Sequence, residues 1–195
     1  MRVRSKWNKS GKKRSIEEIA GAQAFIQWRI AGNTVLNLEN EGFETETNAQ
    51  RLDIFQEICA FLIHVTDRLV HEVLSEEDRQ KFIVELALKT ADVYHDNRVD
   101  AHGRGEDYKK PFIKILNERL ADYSEFTFEE GEPGYAFKRY LGEAVTGVMG
   151  DRDRKWITDQ VMEIEVPEML TTLKKNMKSL FDTGENPLPD ESAKD

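Results

Sequence analysis

Histidine and carboxylate side chains that could bind a metal ion recur through the middle of the chain. Three of them, Glu57, His64 and His71, are spaced seven residues apart, so on a helix they line up within about 40° of one another. Imidazole and carboxylate groups are common ligands of zinc, iron and manganese ions in proteins. This row, with Asp67 on the same helical face and Asp92 on the next segment, forms one candidate site.

A second candidate site follows the order His, His-Asp, Asp along the chain. His64 is followed by the dipeptide His95-Asp96 and then by Asp122, four residues spread over about sixty. This order resembles that of the HD phosphohydrolases, in which such residues bind a divalent metal that activates water against a phosphoester. The resemblance implies a helical metal enzyme with these four side chains as ligands.

A ferritin-like helical bundle is another metal-binding class to consider. Asp92 and His95 form Asp-x-x-His, an acidic relative of the Glu-x-x-His motif, and Glu57, His64 and Glu118 would add ligands. Ferritin-like bundles supply two Glu-x-x-His motifs and two further glutamates. No Glu-x-x-His motif occurs in this sequence, which favours other interpretations.

The helix that carries the polar row is the most strongly patterned stretch of the chain. At about 100° per residue its apolar side chains fall on one broad arc, which is typical of a core face. Those side chains are Phe55, Ile58, Cys59, Leu62, Val65, Leu69, Val70 and Val73. Ala60 and Phe61 interrupt the opposite arc, which predicts that another element covers part of it. We expect the polar row to be solvated or held by structural hydrogen bonds, with metal binding as the alternative.

Signals for the start of a helix recur along the chain and indicate its fold class. Ser15-Ile-Glu-Glu18 fits a capping box, and Thr47 and Ser75 stand before two further amphipathic segments. Four later segments have the same apolar spacing, and strand-like alternation is confined to residues 125–129. The sequence therefore predicts an all-α, single-domain antiparallel bundle of about six or seven helices over residues 15–182.

Residues 92–107 combine several charges with two glycines, which predicts a loop after the third helix. Within it, His102-Gly-Arg-Gly105 could hold a phosphate through backbone N–H groups, with Arg98 and Arg104 beside it. Glycines in such a stretch also serve ordinary turns, so both interpretations stand.

Charge is distributed unevenly between the start of the chain and the rest. Residues 1–14 contain seven of the 28 basic residues and none of the 37 acidic ones, so the rest carries 21 basic against 37 acidic residues, a net charge of −16. A basic arm on an acidic body can fold back on that body or contact nucleic acid or a membrane surface. The candidate contact residues are Arg2, Arg4, Lys6, Trp7, Lys12, Lys13 and Arg14.

Composition limits the remaining classes of protein. With 195 residues, 39% of them hydrophobic and 33% charged, the chain suits one globular domain. It has no apolar run near the ~18–20 residues that span a bilayer and no secretory leader, which predicts a cytoplasmic protein. One cysteine excludes an internal disulfide framework, and motifs for a P-loop, a nucleophile with its base or a zinc-binding Cys pair are missing.

The sequence favours a non-catalytic helical protein that binds or regulates a macromolecular partner, with no cofactor expected. A protein partner or a second copy of the chain is the expected partner, and nucleic acid or an anionic surface would be contacted only through residues 1–14. The acidic residues 183–195 contain two prolines and are expected to be disordered. The alternative is a divalent-metal protein of the HD-like phosphohydrolase type.

Overall fold

Helices make up nearly all of the chain that the computed structural model describes, namely residues 14–103, 105–149 and 154–181, with the side chains of residues 154 and 155 excluded. The elements are α1 (Ile16–Asn40), α2 (Asn48–Val70), α3 (Glu76–His102), α4 (Lys109–Ser124), β1 (Phe128–Glu129), β2 (Glu132–Pro133), α5 (Tyr135–Met149), α6 (Arg154–Gln160), a π-helical turn (Val161–Glu165) and α7 (Val166–Phe181). The predicted all-α bundle is confirmed. The predicted basic arm, apart from Arg14, and the predicted acidic tail lie outside the described residues.

The first three helices begin at the residues that the sequence indicates. The Ser15 hydroxyl accepts a hydrogen bond from the Glu18 backbone N–H, and the Glu18 carboxylate accepts one from the Ser15 N–H, which completes the capping box. Thr47 and Ser75 cap α2 and α3 in the same way, each with its hydroxyl on a backbone N–H three residues later. These contacts are local, so the sequence alone predicts them.

α3 is longer than predicted. It continues to His102, so the loop that was predicted from residue 92 is wrong over its first eleven residues. No glycine or proline interrupts the helix before Gly103, where a positive φ ends it. Arg98 stabilises this last part, because its guanidinium donates to Tyr94 Oη at 2.9 Å and to the Asp53 carboxylate of α2.

α2 is the central helix of the bundle. It packs against α1, α3, α4 and α5, and every residue from Gln56 to Thr66 is buried. The Glu17–Lys81 ion pair, 2.7 Å between carboxylate and ammonium, lies near the starts of α1 and α3. Because α1 and α3 also pack against each other, they run in the same direction, with α2 reversed between them, as expected of an antiparallel bundle.

A short hairpin and a close helix contact position the second half of the chain. β1 and β2 pair antiparallel, which confirms an extended piece at the end of the stretch predicted to be strand-like. Gly142 on α5 lets α6 approach closely, since a Cβ there would lie 2.9 Å from the Thr158 carbonyl oxygen. α6 then continues without interruption through the π-helical turn into α7.

Candidate functional site

The predicted polar face of α2 lies inside the protein. Glu57 is 3% exposed and His64 is 5% exposed, because α4 and α5 cover this side of the helix. The solvated interpretation is therefore wrong for these two residues, and the hydrogen-bonded one holds. Phe61, which interrupts the polar arc, is fully buried as predicted. His71, the third member of the row, lies exposed at the C-terminal end of α2.

Glu57 forms a bidentate ion pair with Arg119 of α4. The Arg119 Nε and Nη2 atoms donate to the two carboxylate oxygens at 2.6 and 2.8 Å. The remaining Nη1 donates to Tyr140 Oη of α5 at 3.3 Å, and this hydroxyl in turn donates to the Asp122 carboxylate. The bond to Glu57 raises the pKa of the Arg119 guanidinium. The hydrogen bonds of Arg119 therefore link α2, α4 and α5 around the buried carboxylate of Glu57.

His64 is held as a neutral imidazole at the same junction. Its Nε2 accepts a hydrogen bond from Arg68 Nε at 3.1 Å, while Arg68 also donates to the Ser124 carbonyl oxygen at 3.2 Å. Burial, and next the Arg68 charge, lower the pKa of His64 to about 4, against a weaker opposing effect of Asp67. Because the ring is almost fully buried, this histidine serves the packing of α2 on α4.

Aromatic rings surround the buried polar side chains of Glu57 and His64. Tyr123 is fully buried, and its ring lies 4.7 Å from Phe137, 5.2 Å from Tyr140 and 5.8 Å from His64, measured between centroids. Burial raises the pKa of the Tyr123 hydroxyl well above its ordinary value. The rings keep water from Glu57 and His64, so the geometry is that of a closed core.

The four residues predicted to share a metal fall into two separate places. His64 and Asp122 lie at the junction of α2, α4 and α5, where His64 is in ring contact with Tyr123. His95 and Asp96 lie on α3, where His95 Nδ1 accepts from the Tyr108 N–H at 3.3 Å. Tyr108 and Tyr123 stand at opposite ends of α4, about 22 Å apart along its axis.

The carboxylates of the other candidate set are each bound to a cation from another helix. Those pairs are Glu57 with Arg119, Asp67 with Arg79 at 2.5 Å, and Asp92 with Lys109 at 2.5 Å. Within residues 14–103, 105–149 and 154–181, no three or more His, Cys, Asp or Glu side chains are grouped so that they could hold a metal ion. Metal binding by either candidate set stays a prediction.

A cleft lies where the phosphate-binding loop was predicted. Its volume is about 500 Å³, and it is lined by His95, Asp96, Val99, Asp100, Gly105 and Glu106. Three carboxylates at its walls repel a phosphate, and Arg98 turns away toward Asp53, so this arrangement does not fit the predicted phosphate site. Arg104 lies outside the described residues.

An uncovered apolar stripe runs along the outer side of α6 and the π-helical turn. Trp156 is 68% exposed and Ile164 is 48% exposed. Two turns of an α-helix take about 7.2 residues, and the π turn adds about one more, so residues eight apart align within about 20°. The π-helical turn therefore places both side chains on one face. We call Trp156 and Ile164 the outer stripe.

The π-helical turn is anchored to α1 beside the outer stripe. Glu165 is 1% exposed and accepts hydrogen bonds from Gln160 Nε2 at 3.1 Å and Asn37 Nδ2 at 3.2 Å. Burial raises the pKa of the Glu165 carboxyl group, and the two hydrogen bonds oppose this rise. Leu36, next to Asn37, is another exposed apolar side chain, with 56% of its surface accessible.

One of the later amphipathic segments predicted from the sequence covers residues 151–165, and its apolar residues are Trp156, Ile157, Val161 and Ile164. Only Ile157 and Val161 are buried. A signal was present, because Trp156 lies about 100° from Ile157 on a helix. The apolar spacing of the segment did not indicate the π turn.

No protein-family model, curated protein or solved structure matches this chain significantly. The described helices include none that is long and apolar enough to cross a membrane.

Proposed function

We propose that this protein is a non-catalytic interaction module that binds another protein through the outer stripe. The observation that carries this proposal is the exposure of Trp156, 68% of whose surface is accessible, in line with an exposed Ile164. Tryptophan is the residue type most enriched among the side chains that dominate binding energy at protein interfaces. Two apolar side chains that are two helical turns apart can pack between the apolar side chains of a facing amphipathic helix.

Charge near the stripe favours a basic partner over a second copy of the chain. Asp159, Glu163 and Glu168 are exposed around and beyond Ile164, although Arg154 and Lys155 precede Trp156 in the sequence. The chain after residue 14 has a net charge of −16, so two such bodies repel each other. We therefore assign the stripe to an amphipathic helix of another protein that carries basic residues beside its apolar face.

The side chains that could act in catalysis give less support to an enzymatic role. Glu57 and His64 are buried and paired within the fold, and a substrate would have to displace aromatic packing to reach them. A binding role needs only the exposed stripe. We propose the cytoplasm as the location, where a single buried thiol such as Cys59 stays reduced.

Site-specific photocross-linking tests the proposal. A photoreactive phenylalanine analogue replaces Trp156 in one sample and Tyr135, an aromatic residue with 67% exposure, in a control sample. Each full-length protein is irradiated in an extract of its own cells, and cross-linked products are identified by mass spectrometry. We expect one discrete protein to be cross-linked from position 156 and not from position 135.

The captured protein is then purified and titrated with the wild-type chain and with the Trp156→Ala/Ile164→Ala variant. Loss of both anchors is expected to weaken binding by about tenfold or more. Equal cross-linking from both positions, or equal affinity of both chains, would overturn the proposal. A product composed of two copies of this chain would replace the foreign helix with a homodimer and refute the assignment of the partner.

A further inference from the structure

A second pair of exposed apolar residues lies on α3. It is near the start of α1, whereas Asn37 and the outer stripe are near the end of α1. Val84 is 57% exposed and Leu88 is 48% exposed. The two residues are four positions apart, so their side chains are neighbours on the same face of the helix. An apolar side chain from another segment can pack against an exposed pair of this kind.

Acidic side chains border this pair. At about 100° per residue, Glu77, Glu85 and Asp92 fall within about 100° of arc together with Val84 and Leu88. Lys81, also on this arc, is bonded to Glu17 of α1 at 2.7 Å, and Asp92 is bonded to Lys109 at 2.5 Å. We call the face formed by Glu77, Val84, Glu85 and Leu88 the α3 outer face. Its composition suits a segment with both basic and apolar residues.

The first fourteen residues of this chain have that composition. They carry seven basic residues, no acidic residue and one tryptophan, Trp7. They join the described structure at Arg14, directly before the Ser15 cap of α1. The Glu17–Lys81 pair puts this point of attachment beside the start of α3.

The length of the segment is sufficient to reach the α3 outer face. The seven residues from Arg14 back to Trp7 span up to about 25 Å when extended. Along α3, the distance from Lys81 to Leu88 is only about 10 Å. Trp7 can therefore reach Val84 and Leu88 with chain to spare.

We propose that residues 1–13 of the chain dock on the α3 outer face of the same molecule, with Trp7 against Val84 and Leu88 and basic side chains against Glu77 and Glu85. The contact uses a different surface from the outer stripe, so it does not depend on the partner proposed above. When the segment is docked, its basic residues are not available to an anionic partner. The α3 outer face therefore competes with such a partner for the basic segment.

Paramagnetic relaxation in the full-length chain tests this contact. A nitroxide is attached to Cys in a Ser10→Cys variant; Cys59 is buried, and burial raises its thiol pKa to about 12, so it does not react. We expect selective broadening of the backbone amide signals of Val84 and Leu88, with those of Trp156 and Ile164 unchanged as internal controls. Raising the salt concentration from about 0.1 M to about 1 M shortens the screening length from about 10 to about 3 Å and should reduce the broadening.

Two variants of the labelled chain separate docking from chance contact. Val84→Glu/Leu88→Glu should abolish the broadening on α3, since it adds negative charge but removes the apolar pair. Leu36→Glu, which alters a residue of 56% exposure elsewhere, should leave it unchanged. Absence of broadening at Val84 and Leu88 in the parent chain would overturn the proposal, as would broadening that survives the double substitution.

Discussion

The polar face of α2 is chemically reactive and buried, whereas the outer stripe on α6 and the π-helical turn is unreactive and exposed. On α2, Glu57 and His64 could act as ligands, bases or acids, yet both are buried and bonded to arginines. On α6 and the π-helical turn, Trp156 and Ile164 have no ionisable group, yet both are open to solvent. In these two regions, the reactive side chains pair with other groups inside the fold, whereas the unreactive side chains are accessible from solvent.

The physical cause of this difference is the cost of leaving polar groups unpaired. A buried carboxylate must be compensated, and the Arg119 guanidinium compensates Glu57 with two hydrogen bonds. An exposed apolar side chain needs no compensating group, and single ones are common on protein surfaces. Trp156 and Ile164 differ from such single side chains because two exposed apolar residues, one of them a tryptophan, share one helix face.

Removal of the Arg119 side chain is the largest expected perturbation. Arg119→Ala leaves the Glu57 carboxylate buried without its cation, so we expect the free energy of unfolding to fall by about 3–5 kcal/mol. Urea unfolding followed by circular dichroism measures the change. Arg139→Ala is the matched control, because the Arg139–Glu143 pair has both side chains 55% exposed and should contribute about 0–1 kcal/mol. Equal effects of both substitutions would contradict the internal role of the α2 polar face.

Acidification should weaken the same region through His64. Its pKa is lowered from an ordinary value of 6.5 to about 4 in the folded protein, so the unfolded chain takes up the proton first as pH falls. The stability that depends on this histidine is complete above pH 6.5 and is lost between pH 6.5 and about 4. The pKa difference corresponds to at most about 3 kcal/mol.

The His64→Gln variant isolates this effect from the titration of carboxyl groups. Glutamine retains an acceptor for Arg68 and does not titrate, so its unfolding free energy should decline less steeply over that range of pH. Urea unfolding curves at several pH values for both proteins provide the comparison. Parallel pH dependences would show that His64 is protonated equally in the folded and unfolded chains.

The sequence predicted contacts between residues close in the chain and did not predict contacts between distant ones. The caps at Ser15, Thr47 and Ser75 depend on residues three positions away, so their patterns predicted the helix starts. The partner of Glu57 lies 62 positions away on α4, and no local pattern identifies it. Phe61 did indicate a covering element, but it could not indicate which one.

Two other differences arose from features that helical periodicity does not contain. Charged residues suggested a loop at Asp92, although charges are tolerated on an exposed helix face and only Gly103 ends α3. The π turn rotates Ile164 into line with Trp156, and a search at a single period of 3.6 residues assigns the two a different relation. The first difference concerns where a helix ends, and the second concerns which residues share a helix face.

The decisive comparison is the unfolding free energy of the Trp156→Glu/Ile164→Glu variant, measured beside that of Arg119→Ala. If the outer stripe serves contact and the α2 polar face serves the fold, the double variant should unfold within about 0.5 kcal/mol of the parent chain, while Arg119→Ala is strongly destabilised. A loss of about 2 kcal/mol or more in the double variant would show that the outer stripe contributes to the packing of the fold and would contradict its assignment to contact.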